Sequence, residues 1–188
     1  MSVAMEDFPR RHRVTVDEYH HMAEVGLLAR DARVELIEGE IVEMPPIGSR
    51  HAAVVDRLNE TLGRAVGPRA IVRCQNPIQL GGASEPQPDL ALLARRQDFY
   101  ELQLPTGADT LLVIEVSDST LSYDLRRKAA LYARHGIPEL WVIDVERRKL
   151  HLHRDCANGE YKTISTHDTL GVTSIASLPG VSVDLSLT

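Results

Sequence analysis

The spacing of apolar and polar positions changes along the chain, and each change marks an element. Thr15 and Glu18 form a Thr-x-x-Glu capping box that opens a short helix to about Glu24, which Gly26 is placed to end. Arg33 to Glu43, RVELIEGEIVE, alternates on either side of Glu38-Gly39 and predicts a hairpin with a tight turn. Pro45, Pro46 and Gly48 interrupt the pattern. Helical spacing of Val54, Val55, Leu58 and Leu62 then predicts a helix from Ser49, stopped by Gly67-Pro68. Ala70 to Leu80 reads as a strand whose Pro77 indicates an edge or a bulge.

The second half is more apolar. Pro88 leads into a strand, PDLALLA, and 95–109 reads as a polar loop or short helix. TLLVIEV, residues 110–116, is almost wholly apolar, as a strand covered on both faces is. A helix follows from Ser122 to His135, with Gly136 and Pro138 as its stop. LWVIDV and KLHLHR form a hairpin, and 160–165 and 180–187 read as short closing strands. This order predicts an α/β (α+β) domain, a mixed sheet flanked by helices, with a parallel crossover between Leu111 and Val145. Residues 1–14 are expected to be a flexible leader and 15–188 a single domain.

Chemistry enters where polar residues break apolar runs. Asp89 follows Pro88 at a strand entrance, and Glu115 lies inside the most apolar strand. A buried carboxylate needs a partner, a proton or a metal. Lys128, on the next helix, is in reach of that strand's carboxyl end; its plain alternative is an exposed i,i+4 ion pair with Asp124. Two carboxylates and an amine from separate elements suit Mg²⁺-dependent phosphodiester hydrolysis, in which the cation activates water and offsets phosphate charge. Glu35 precedes Leu36-Ile37 and can point inward, whereas Glu38 and Glu40 lie near the turn. His51 and Asn59 share one face of the second helix, and His151 and His153 are expected to face solvent.

Hydrophobic residues make up 43% of the 188 positions, enough for a core, and aromatics only 4%, which argues against a large base-stacking platform. The net charge of −6 argues against a long duplex footprint unless basic groups gather locally; Arg50, Arg57, Arg73, Arg126, Arg127 and Lys128 are the candidates. Cys74 and Cys156 lack metal-ligand spacing and read as structural thiols in a reducing cytoplasm. No run approaches the ~20 apolar residues of a membrane span, and MSVAMEDFPRRHR has no apolar signal core. The chain has no phosphate-binding glycine loop, no Gly-x-Ser-x-Gly elbow and no His-Glu-x-x-His helix.

VELIEGEIVEMPP, then His51, CQNPIQL, QPDLALL, the run LLVIEVSDSTLSYDLRRKAALYARHGIPELWVIDVERRKLHLHR and a closing LPGVSVDL together resemble the Uma-type restriction endonucleases of the PD-(D/E)XK nuclease-like superfamily. The resemblance covers about residues 15–187, and its most specific part runs from Ile114 to Asp144. It implies a restriction-endonuclease-like core, an Mg²⁺ (or Mn²⁺) site, and DNA as the partner. Asp89 and Glu115 would be the metal ligands, Glu35 an acidic neighbour, Lys128 a migrated catalytic lysine, and His51 and Tyr132 accessory residues. Ser117 stands where the commonest form of the motif has its lysine, which is a departure. The resemblance also leaves room for a homodimer, which would set two clefts against two strands. Membership does not by itself establish cleavage, so a catalytically weak binding or accessory protein and an interaction domain on the same fold stand as alternatives.

Overall fold

The computed structural model describes residues 11–29 and 31–186. Most of the expected leader therefore lies outside the described residues. Of its described part, Arg13 and Val14 hydrogen-bond to the backbone of Glu38 and Gly39.

Helix α1 (Val16–Glu24) starts at the Thr15–Glu18 capping box, and Gly26 follows its end with a φ of +78°. Strands β1 (Val34–Ile37) and β2 (Glu40–Glu43) pair antiparallel. Glu38 and Gly39 between them both have positive φ, as a two-residue turn matching the strand twist requires. A Cβ on Gly39 would stand 2.7 Å from that of Arg13, so glycine there also lets the N-terminal segment pack across the turn. Helix α2 (Ser49–Val66) ends at Gly67.

The main sheet has six strands in the order β3-β4-β5-β6-β7-β8. They are β3 (Ala70–Cys74), β4 (Leu90–Ala94), β5 (Thr110–Ser117), β6 (Leu140–Asp144), β7 (Lys149–Ala157) and β8 (Glu160–His167). Only β5 and β6 run parallel, joined by the crossover helix α3. That helix has α-helical turns Leu121–Tyr123 and Ala129–Arg134 around a π-helical stretch, Asp124–Lys128. A small antiparallel pair, β9 (Val172–Ser174) and β10 (Ser182–Asp184), lies beyond the main sheet.

Each face of the sheet has its own cover. Val55, Leu58 and Leu62 of α2 pack on Leu90, Leu92, Leu112, Ile114 and Val116. Leu131 and Tyr132 of α3 pack on Val113, Leu140 and Val142, with Ile37 of the hairpin beside them. Strand β5 is therefore enclosed on both sides, which is why its residues are almost all apolar. α1 closes over β1 through Val16, Tyr19 and Leu36.

Three readings are corrected. β3 ends at Cys74 rather than running to Leu80, because Gln75 takes a left-handed φ of +51° and Pro77 cannot donate to a ladder. His153 does not face solvent. It lies on the α3 side of the sheet, buried edge-on against Tyr161 with ring centroids 5.5 Å apart. The C-terminal end holds β9 in addition to the two expected strands.

Candidate active site

The strand register brings the two carboxylates together. Leu90 pairs with Ile114, so Asp89, one residue earlier, faces Glu115 across the β4–β5 ladder. Residues opposite one another on antiparallel strands project to the same face. Val113 lies on the α3 side, and strand alternation puts Glu115 there too, while Asp89, just before β4, also reaches His51 at the start of α2. Both line a cavity of about 280 Å³ with Glu35, His51, Asp124 and Lys128.

Glu115 is 3% exposed and Lys128 1% exposed. The Lys128 amine donates to Glu115 Oε1 and to Glu35 Oε1, each at 3.1 Å. Tyr132 donates its hydroxyl to Glu115 Oε1 at 2.5 Å. Glu35 also accepts from the Gln87 amide at 3.3 Å, while its Oε2 is buried with no hydrogen-bond partner among the described residues. Asp89 sits apart from the lysine. Its Oδ2 accepts from the Val116 amide at 2.8 Å and pairs with His51 Nε2 at 3.2 Å, and its Oδ1 accepts from Gln75 at 3.3 Å.

These contacts set the electrostatics. Burial pushes the Glu115 carboxyl up to about 8 against the pull of the Lys128 amine, and the charges of Asp124, Asp89 and Glu35 add to the push. Burial raises Glu35 in the same way, with Lys128 opposing it. Burial alone would depress the Lys128 amine, but Glu115, Glu35 and Asp124 outweigh it and hold the amine above the ordinary lysine value. The hydrogen bond to Asp89 raises His51 despite partial burial.

Lys128 forms no ion pair with Asp124, its neighbour four residues back, among the described residues. Asp124 instead accepts from Ser117 at 2.7 Å and Thr120 at 2.6 Å, both on Oδ2. The side chain at 117 therefore meets Asp124, and the amine beside Glu115 comes from α3. Of the residues read as candidates, the fold gathers Glu35, Asp89, Glu115, Lys128, His51 and Tyr132 around one cluster. The arginines do not gather. Arg50, Arg57, Arg73, Arg126 and Arg127 are absent from the described cavity lining. Arg127 is held by Glu40 at 2.6 Å, and Arg50 by the carbonyl of Val145 at 2.7 Å. Sequence reasoning missed Gln75, Gln87 and the roles of Ser117 and Asp124. The polar run Asp118-Ser119-Thr120 after so apolar a strand was the available signal, and all three residues line the cavity.

The donor chemistry fits a small hard cation. Asp89 and Glu115 offer carboxyl oxygens to a polar cavity, and Glu35 adds a buried carboxyl oxygen with no hydrogen-bond partner among the described residues. Among the described residues no three His, Cys, Asp or Glu groups stand close enough to form a full ligand set. Two carboxylates are what Mg²⁺ commonly takes from a protein when water and phosphate complete its shell.

The family model for the Uma2 proteins, described as "Putative restriction endonuclease", matches residues 16–187. The chain belongs to this family. A search of curated proteins finds no match. Among solved structures, the crystal structure of a "putative nuclease belonging to DUF820" from Anabaena variabilis ATCC 29413 superposes with a TM-score of 0.70. It covers 92% of this chain and 95% of its own, at 16% identity, and so shows that the two share a fold. Membership of the Uma2 family places the chain among nuclease-like proteins. No helix among its described residues is long and apolar enough to cross a membrane.

Proposed function

We propose that this Uma2 protein is a divalent-cation-dependent DNA endonuclease, with Asp89 and Glu115 holding Mg²⁺ or Mn²⁺. The supporting observation is the facing of Asp89 and Glu115 across one ladder with a buried lysine on the second. A cation bound there would lower the pKa of water and offset the charge that develops on phosphate. Lys128 keeps its proton next to Glu115 and Glu35, so a positive charge stays fixed at the cavity floor throughout. Tyr132 and Lys128 together fix the Glu115 carboxylate, and His51, Gln75 and the Val116 amide fix that of Asp89. Such second contacts orient ligands and are commonly worth 10–100-fold in metal affinity or activity. The two unpaired thiols suit a reducing cytoplasm.

One observation favours a second reading, a binding protein that does not cut. The Lys128 amine is buried and already bonded to two carboxylates, which leaves it little freedom to meet a phosphate. Plasmid nicking in Mg²⁺, run beside duplex binding in Ca²⁺, separates the two. The nuclease reading expects nicking that EDTA and Asp89→Ala abolish; binding without nicking supports the second.

A further inference from the structure

Of the arginines absent from the cavity wall, Arg73 lies farther along the same face of the sheet, where Arg95 and Arg96 of the following loop join it. Arg73 on β3 pairs with Ala91 on β4, next to the Gln75–Asp89 contact at the cavity. Below it, Ile71, Ala91 and Leu93 are covered by Tyr100, which returns from the loop 95–100 and donates its hydroxyl to the carbonyl of Ala94 at 2.7 Å. Three guanidinium groups stack on two rings there. Arg95 lies 4.6 Å from the centroid of Phe99, Arg96 lies 4.4 Å from that of Tyr100, and Arg73 lies 5.6 Å from that of Tyr100. Arg73 also donates to the carbonyl of Phe99 at 2.9 Å.

The loop presents Phe99 outward. Phe99 and Tyr100 both take left-handed φ, +49° and +60°, which bulky residues rarely do in succession. The arrangement buries Tyr100 as an anchor and leaves Phe99 52% exposed with Arg95 over its face. Asp98 neutralises Arg96 through two hydrogen bonds, but Arg95 is exposed, and the ion pairs of the described residues include neither it nor Arg73.

We propose that this surface is a track for a single strand of DNA leaving the Asp89–Glu115 cavity, with a base stacked on Phe99 and phosphates on Arg95 and Arg73. Aromatic faces interleaved with cations bind single strands with little sequence preference. A flexible strand can follow a short local patch such as this one, and two cations beside one exposed ring span too little for a duplex footprint. The proposal rests on the nuclease reading for its direction, since it runs from the candidate site.

The test is fluorescence anisotropy with a labelled oligodeoxythymidylate of about 16 nucleotides in Ca²⁺, beside a duplex of the same length. Wild type is compared with Phe99→Ala, Arg95→Gln and, on the opposite edge strand β8, the exposed Ile164→Ala. Phe99→Ala is expected to weaken single-strand binding about tenfold without changing its salt dependence. Arg95→Gln is expected to lower the slope of log affinity against log salt by about 0.7. Ile164→Ala is expected to bind like wild type. Equal binding by all four proteins, no single-strand binding by wild type, or tighter binding of the duplex overturns the track. Plasmid nicking measured alongside tells the two readings apart. Nicking with unchanged variant binding removes the track alone, and Phe99-dependent binding without nicking removes the nuclease alone.

Discussion

Lys128 Nζ lies 3.1 Å from Glu115 Oε1, in a part of the interior where both side chains are almost fully enclosed. The same amine reaches Glu35, so one buried cation faces two carboxyl groups. Removing one partner of such a group leaves uncompensated buried charge, at a cost of about 3–5 kcal/mol. Lys128→Met is expected to lose roughly that much stability, and adding Glu35→Gln and Glu115→Gln is expected to return much of it. Urea denaturation at neutral pH measures both, and a triple variant no more stable than the single one would contradict the network.

Glu115 gives the protein a pH signature. Its carboxyl stands at about 8 in the folded chain against an ordinary 4.5. Between those values the folded state holds a proton that the unfolded state has lost, so this group's contribution to stability falls as pH rises through the window and levels off above about 8. Glu115→Gln stays neutral throughout and is expected to flatten that part of the curve. Denaturation midpoints taken from about pH 5 to about pH 9 check this; an equally steep decline in the variant would assign it to another group.

His51 reports on Asp89 without any need for turnover. The hydrogen bond to Asp89 holds its imidazole above the usual histidine value. That stabilisation is present below the unfolded value and is lost as pH rises through the folded one. Saturating Ca²⁺ or Mg²⁺ is expected to lower the His51 pKa, because a cation on Asp89 repels the imidazolium. Asp89→Asn is expected to lower it without metal. An NMR titration of the ring measures both shifts; a His51 curve that no divalent cation moves would take the metal off Asp89.

Tyr132 donates its hydroxyl to the oxygen of Glu115 that Lys128 also binds. Tyr132→Phe keeps the ring packed and removes one donor from a buried carboxyl, which is expected to cost about 1–3 kcal/mol. Loss of that donor should also weaken divalent binding about tenfold. Calorimetric titration and thermal melts of the same preparation measure the pair of effects.

How legible the site was in the sequence depended on distance along the chain. Glu115 stood out because apolar residues on both sides marked a strand with no water to solvate a charge. Asp89 was marked by its place at the entrance of a second apolar strand, and ladder pairing then supplied the partnership. Lys128 was ambiguous: Asp124 at i,i+4 offered a local partner, while its two partners, Glu115 and Glu35, are 13 and 93 residues away. Nothing local announces the π-helical stretch that carries both residues, or the Ser117 and Thr120 hydroxyls that occupy Asp124. His153 was misread because alternation marks two faces of a strand without saying what covers each; Tyr161 from β8 closes over it. Residue type alone made Arg73 and Arg127 equal candidates, and only the fold separates Arg127, held by Glu40, from Arg73, which stands over Tyr100; Arg95, over Phe99, was not among the candidates.

Nicking of supercoiled plasmid by wild type, Asp89→Asn and Glu115→Gln in Mg²⁺, on preparations shown to be folded, tests the central claim most directly. The account expects wild type to convert supercoiled to open-circular DNA, EDTA to stop it, and each substitution to slow it at least about a hundredfold. Equal rates for the three proteins, or nicking that persists in EDTA, would contradict it.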